Sequence, residues 1–375
     1  MGVLNEGVRR QSPGSDGVVV WFISPHGFGH AARASAIIAA CSARRPDLRH
    51  HLFTTVPPGF FSESLPGVSV AVHRLECDVG MVQKNPFEED VGATIRALAR
   101  LPLKAGPDLD AVVNEVAATG CRVVVSDISP LGLLVADRLE CPGILVENFT
   151  WDWIYRAYDE PRLDALGAEM ERIFSTAAVR IQTEPVCTMV DGSRVVPPVS
   201  RRPRVSRTDL RKELGIPAHE RMILVSLGGV ETAPLRRLRQ AMPTTTLVAP
   251  ANRPTIEVEH GVVRIPITGG PYHPDLVAAS DLVIGKLGYS TVAEVYRSKT
   301  RFAFLRRPRF PESPILEAFV RDHIPSAALQ TNWLENPTAP AVLEGLLSRS
   351  RLTAPRENGA GQAADSILNL LQDQF

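Results

Sequence analysis

The sequence predicts an α/β protein built of two doubly wound domains, each with a mostly parallel sheet, and three observations carry that expectation. A short β-rich run, Val18-Val19-Val20-Trp21-Phe22-Ile23, breaks into Ser24-Pro25-His26-Gly27-Phe28-Gly29-His30 and continues as the alanine-rich stretch Ala31 to Ala43. That is strand, tight glycine turn and helix, the first βα unit of a parallel sheet. Apolar runs then alternate with helical stretches in two successive series, the pattern of a sheet covered on both faces by helices. Between the series the chain turns irregular and basic, Val195-Val196-Pro197-Pro198-Val199-Ser200-Arg201-Arg202-Pro203-Arg204, where prolines remove strand donors. With 375 residues and about 150 per domain as a guide, two domains are expected.

Taken in order, residues 1–16 lack an apolar core of the kind a signal peptide carries and read as a disordered leader. The first domain is set at 17–198. After the opening unit, His51 to Thr55 and Val68 to Val72 read as strands, and Val91 to Ala118 as helix interrupted near Pro102 and Pro107. Glu76 to Gln83 fits neither period and reads as a cleft loop. Cys121 to Asp127 is a buried strand ending in a carboxylate, with Leu131 to Leu139 as its helix, and Pro142 to Asn148 repeats the pattern. The second domain, 199–355, restarts with Met222 to Ser226 before Leu227-Gly228-Gly229, followed by runs at 245–248, 262–265, 281–284 and 301–305. Residues 356–375 form a closing helix able to pack back on the first domain.

Composition narrows the function. Lys plus Arg and Asp plus Glu balance at 41 each, and aromatic residues make up 6%, so neither a basic field nor a stacking surface for nucleic acid is present. No run reaches the length of a membrane span. The five cysteines are odd in number and widely spaced, which fits thiols in a reducing cytoplasm rather than a disulfide framework or zinc site. A small-molecule protein is expected. The opening turn is neither a dinucleotide fingerprint, since Ala32 stands where its third glycine belongs, nor a P-loop. Its glycines allow a ligand close to the backbone, and the new helix offers free N–H groups to an anion. His30 is either a cap or packing residue there or a group facing a ligand. Asp127 either caps the next helix or orients His30 or a sugar hydroxyl.

Several stretches carry a resemblance. Ser24 to Arg33 resembles the first loop of GT-B glycosyltransferases of the peptidoglycan N-acetylglucosaminyltransferase type. Asp78 to Gln83, Val125 to Asp127, Asn148 to Tyr155, Arg211 to Ile216 and Gly285 to Glu294 resemble the glycosyltransferase-like N-terminal region of L-arabinokinases. These stretches span nearly the whole chain, and nothing in them matches a kinase half, so sugar phosphorylation is not expected.

The resemblance implies a GT-B fold of two Rossmann-like domains facing a cleft and a glycosyltransferase that moves a sugar from a nucleoside diphosphate sugar, a uridine diphosphate sugar by expectation, to an acceptor hydroxyl. A hydrolase using water, and a binding protein without catalysis, are the alternative outcomes. His30 is implied as the general base, a task an imidazole suits because it titrates near neutrality, with Asp127 beside it. Gly27, Phe28 and Gly29 form the cleft loop. Donor contacts fall to Gly228, Gly229, Lys286, Gly288, Tyr289, Ser290, Thr291, Glu294 and Glu312. Glu294 is the ribose ligand by resemblance, although Thr291-x-x-Glu294 is also formally a helix capping box. Asn148, Trp151 and Asp152 belong to the acceptor side. No cofactor is expected, nor any metal: Asp108-Leu109-Asp110 has the form of a metal motif from another fold but lies in an amphipathic helical stretch.

Overall fold

The computed structural model describes residues 17–85, 88–227, 235–354 and 356–372. The leader expected at 1–16 and the paired glycines Gly228 and Gly229 lie outside the described residues.

The first half contributes β1 (Val18–Ile23), β2 (Arg49–Thr54), β3 (Val70–Arg74), a small hairpin of β4 (Gln83–Asn85) and β5 (Glu88–Glu89), then β6 (Val123–Asp127), β7 (Gly143–Glu147), β8 (Val179–Thr183) and β9 (Arg194–Val196). Seven of these form one sheet in the order β3-β2-β1-β6-β7-β8-β9, every pair parallel. β1 is buried on both faces, which is why its sequence is continuously apolar rather than alternating. Its side chains still divide by parity. Val19, Trp21 and Ile23 pack with Ala34 and Ile38 of the helix Gly29–Arg44. Val18, Val20 and Phe22 pack with Val112 and Val116 of the helix Pro107–Ala118 and Leu131 and Val135 of the helix Pro130–Arg138.

The second half repeats the plan with β10 (Arg221–Ser226), β11 (Thr245–Ala251), β12 (Glu257–Glu259), β13 (Val262–Pro266), β14 (Leu282–Lys286), β15 (Arg301–Leu305) and β16 (Ser326–Leu329). The order is β12-β13-β11-β10-β14-β15-β16, with β12 antiparallel to β13 and the remaining pairs parallel. Both sheets therefore reverse winding direction beside their first strand, between β1 and β6 and between β10 and β14. The crevices at the carboxyl ends of those strands are where α/β sheets hold ligands.

Two local expectations need correcting. The helix Tyr289–Ser298 takes Gly288 as its N-cap, so Thr291 stands inside the first turn and the Thr291 to Glu294 capping box does not form. Asp127 does not cap a helix either, because Ser129 takes the capping position before Pro130. Within the basic connector Val199, Ser200 and Arg201 are buried, and Arg201 bonds Ser64 of the first half and Glu294 of the second. Beyond it, the helix Ala360–Gln372 returns to the first sheet, where Ala363, Ala364, Ile367 and Leu371 join the core that contains Trp21 and Ile37.

Candidate functional site

β1 and β6 are neighbours with Ile23 opposite Asp127, so the turn after β1 opens directly beside the Asp127 carboxylate. The helix that follows this turn begins at Gly29, which puts His30 and Arg33 three residues apart on one face. Both reach Asp127. His30 Nδ1 lies 2.8 Å from Asp127 Oδ1, while Arg33 donates Nε to Oδ2 at 2.9 Å and a terminal nitrogen to Oδ1 at 2.6 Å. The carboxylate accepts, so the proton on the imidazole sits on Nδ1 and leaves Nε2 with its lone pair free.

Burial decides the charge states. It pulls the His30 pKa below the ordinary imidazole value, with the Asp127 hydrogen bond offsetting only part of the effect. Burial alone would raise Asp127, but the Arg33 guanidinium outweighs it and holds the carboxyl below its ordinary range. The same pairing raises Arg33 despite complete burial. The result is a neutral imidazole oriented by an ionised carboxylate that is itself neutralised by an arginine.

A polar chain continues across the cleft. Arg33 donates to Asn148 Oδ1 at 2.8 Å and to Thr183 Oγ1 at 3.2 Å, and Asn148 Nδ2 donates to Glu312 Oε1 of the second domain at 2.7 Å. Burial raises Glu312 above the usual carboxylate range. The Arg33 guanidinium lies 5.0 Å from the centre of the Tyr289 ring, and the Tyr289 hydroxyl accepts from the Val199 backbone at 3.1 Å. Tyr289 thus packs into the interface between the halves. A Cβ built on Gly29 would stand 3.7 Å from Ser290 Oγ, so the glycine turn of one domain meets the first turn of the helix Tyr289–Ser298 of the other.

The wall beside His30 is aromatic. Phe149 and Trp151 lie 6.2 and 6.3 Å from its ring, and Trp151 Nε1 donates to Asp78 Oδ2 at 2.6 Å. Burial pushes Asp78 up to about 6. Trp151 is wholly buried and Asp152 nearly so, the latter packed under Gly167. His26 stacks on Phe310 of the second domain and meets the edge of Trp151, and burial, then Arg307, lowers it to about 3. Gly80 has φ +65°, and a Cβ there would come within 2.7 Å of His26, so any side chain at this loop position is strained and forces His26 to shift.

At the second switch point Glu294 is buried with both oxygens engaged. Oε1 accepts from Arg201 at 3.0 and 3.3 Å, and Oε2 faces His273 Nδ1 at 2.7 Å; His273 Nε2 in turn meets Ser226 Oγ at 2.9 Å. Burial would raise Glu294, but Arg201 and His273 bring it down to about 2. Arg201 also bonds Ser64 Oγ at 3.1 Å and lies between the Phe60 and Tyr272 rings. Lys286 ends β14 half-buried, and burial and Arg307 lower its pKa. Asp108 and Asp110 sit in the first turn of the helix Pro107–Ala118, where Asp110 pairs with Arg138.

Two Rossmann-like halves with facing switch points recur in solved structures. The chain is similar to the glycosyltransferase SnogD from Streptomyces nogalater (TM-score 0.55, 16% identity, 95% of this chain and 100% of that one). It is also similar to MurG of Acinetobacter baumannii (TM-score 0.54, 17% identity, 95% and 99%) and to CalG4, the calicheamicin glycosyltransferase (TM-score 0.59, 16% identity, 96% and 95%). The fold is GT-B. Among curated proteins, L-arabinokinase of Arabidopsis thaliana is 29% identical over 324 residues, 83% of this chain. This GT-B chain spans 30% of that relative's length. No protein-family model matches it. Among the described residues, no helix is long and apolar enough to cross a membrane.

Sequence reasoning set Asp127 beside His30 and put Asn148 on the acceptor side, and it assigned no role to Arg33, Thr183, Arg201 or His273. The signal for Arg33 was present in its three-residue spacing from His30. The partners of Arg201 come from segments up to 137 residues away, and no local pattern announces them.

Proposed function

We propose that this chain transfers a sugar from a nucleoside diphosphate sugar, with uridine as the expected base, to an acceptor hydroxyl. The observation that carries the reading is the 2.8 Å contact between His30 Nδ1 and Asp127 Oδ1 at a switch point facing the second domain. In this reading Nε2 takes the acceptor proton as the acceptor oxygen bonds to the anomeric carbon, and the bond to the diphosphate breaks with its electron pair leaving on phosphate. Lys286, together with the first-turn N–H groups of the helix Tyr289–Ser298 and the loop Gly27, Phe28 and Gly29, suits a developing diphosphate charge without a divalent metal. Gly288, Ser290 and Thr291 line that helix start. Glu294 serves the ribose once its hydroxyls replace Arg201 on Oε1, and Glu312 faces the sugar from its bond to Asn148. Phe149 and Trp151 shield the base from water. Five free cysteines suit a cytoplasmic setting.

The test is a panel of nucleoside diphosphate sugars with and without hydroxyl acceptors, read as released nucleoside diphosphate. Release that requires an acceptor supports transfer. Release at the same rate with water alone makes the chain a hydrolase, and binding with no release makes it a sugar-nucleotide binding protein.

A further inference from the structure

Positive charge collects at the end of the second sheet away from the cleft. β10 and β14 run parallel, so Ser226 and Lys286 end both strands at the cleft, while Arg221 and Asp281 stand at their amino ends, about 16 Å back along the strands. Arg207, Arg211, Lys212 and Arg221 line a solvent-open pocket of about 670 Å³ there, together with the loop 215–219. That volume falls in the range of small-molecule sites, about 300–1,000 Å³.

The charges are unevenly matched. The helix Arg207–Glu213 sets Arg207 and Arg211 one turn apart, facing Asp281. Arg207 donates to Asp281 Oδ1 at 2.6 Å and Arg211 to Oδ2 at 3.2 Å, and the Met222 N–H donates to Oδ2 at 2.9 Å. Glu220, the other acid of the pocket, is turned to Thr246 at 2.6 Å and to Arg239 at 3.8 Å. Arg301 donates to the Asp281 carbonyl at 3.2 Å and Arg351 to Thr300 Oγ1 at 3.2 Å, and neither reaches a carboxylate among the described residues. Burial lowers the pKa of both, and Arg207 adds to the effect on each. Arg207 and Arg211 also tie down the Ser280 and Ala279 carbonyls behind the helix His273–Ala279, at 2.9 and 3.3 Å, which accounts for their positions by packing. No such contact accounts for Lys212 and Arg221. Both are exposed on the pocket wall, and their side chains make no hydrogen bond or ion pair among the described residues. They add charge where like charges already crowd, an arrangement that an anion would relieve.

We propose that this pocket binds a small soluble polyanion carrying at least two phosphate groups, at a site separate from the cleft. Arg207 and Arg211, held in place by Asp281, offer fixed guanidinium donors, and a guanidinium fork matches phosphate oxygens. Lys212 and Arg221 supply the charge that Asp281 leaves unmet. The concave shape suits a molecule that enters it rather than a flat layer of phosphorylated headgroups.

The test titrates inorganic triphosphate into the whole chain by calorimetry and maps the contact by hydrogen exchange read by mass spectrometry. Expected are protection of the segments 207–221 and 279–282 and a melting temperature that rises with triphosphate. The double variant Lys212→Gln with Arg221→Gln should weaken binding by roughly tenfold or more. Lys286→Gln, at the cleft end of β14, should leave the protection at 207–221 in place. Protection confined to the cleft segment 285–294, unchanged affinity in the double variant, or binding that appears only with vesicles of phosphorylated lipid would each overturn the proposal. The wild-type exchange map decides even if a variant fails to fold.

Discussion

Removing His30 and neutralising Asp127 should have effects that differ in kind. In His30→Ala the Asp127 carboxylate keeps its two bonds to Arg33, at 2.9 and 2.6 Å, so no buried charge loses its partner. The loss falls on turnover, by about 10²- to 10⁴-fold, the usual range for a general base. Asp127→Asn exchanges one of the two acceptor oxygens shared by His30 and Arg33 for an NH2 donor, so the imidazole tautomer is no longer fixed, and it leaves the Arg33 cation, buried at 1% exposure, without a counter-ion. Breaking one side of a buried pair costs about 3–5 kcal/mol. At about 2–4 °C of melting temperature per kcal/mol, that is a drop of roughly 6–20 °C. Released nucleoside diphosphate at saturating donor, with calorimetric melting of both variants, provides the measurement. The expected outcome is a slow but stable His30→Ala protein and a slow, destabilised Asp127→Asn protein. Wild-type turnover in His30→Ala, or equal destabilisation of the two variants, would refute the arrangement of base, orienting carboxylate and buried cation.

Other perturbations give separate outcomes. Gly80→Ala must hold φ +65° and meet His26 at 2.7 Å, so it should lose about 1–3 kcal/mol in a urea melt; an unchanged midpoint would show that the loop relaxes freely. Stability should fall as pH drops from 6.5 toward 3, because His26 and His50, held to about 3 and about 4 by burial, stay neutral in the fold while the unfolded chain takes up protons. Glu294, at about 2 in the fold, adds a loss of the same sign below its ordinary value of 4.5, whereas Asp78, raised to about 6, opposes the trend between 3.8 and 6. Melting temperatures across pH 3 to 8 test the sum. Arg201→Met should tighten binding of uridine diphosphate several-fold in calorimetric titration if ribose displaces Arg201 from Glu294, and Glu294→Gln should weaken it by roughly ten- to a hundredfold. Unchanged affinity in both variants would remove Glu294 from the nucleotide site. Turnover should persist with a divalent-ion chelator present, and its loss with recovery on adding manganese would count against Lys286 and the helix start as the counter-charge.

The central strands were legible because burial on both faces writes them as unbroken apolar runs, as in Val18–Ile23 and Val123–Asp127. Of the edge strands, β3 was read, as Val68 to Val72, but most of the others were not. Arg194–Val196 and Glu257–Glu259 have three residues each and exposed side chains, so neither length nor periodicity marks them. β8, Val179–Thr183, escaped notice because its Arg180 and Gln182 point at Glu147, a pairing across strands that breaks the apolar run. In the site, groups supplied by one turn or one strand end could be read: His30, Asp127, Asn148. Groups defined by a partner in the other domain could not. Arg201 reads as one of several linker arginines until Glu294 and Ser64 are seen beside it. Tyr289 reads as a loop residue near phosphate until its hydroxyl is found holding the Val199 backbone.

The return of the helix Ala360–Gln372 has a consequence for synthesis on the ribosome. Residues 17–198 cannot complete their own core as they emerge, because Ala363, Ala364, Ile367 and Leu371 fill it from the far side of the second domain. Gly359 lies so close to the Pro197 carbonyl that a Cβ would come within 2.2 Å, so the returning chain is clasped against the departing one. Until that segment is translated, an apolar face beside Ile37 and Cys41 stays open to chaperones and to other nascent chains. A fragment cut between the two sheets inherits that open face permanently. Fusing the helix to the first half through a flexible tether, rather than trimming the gene at the connector, is the rational way to obtain it as a soluble unit.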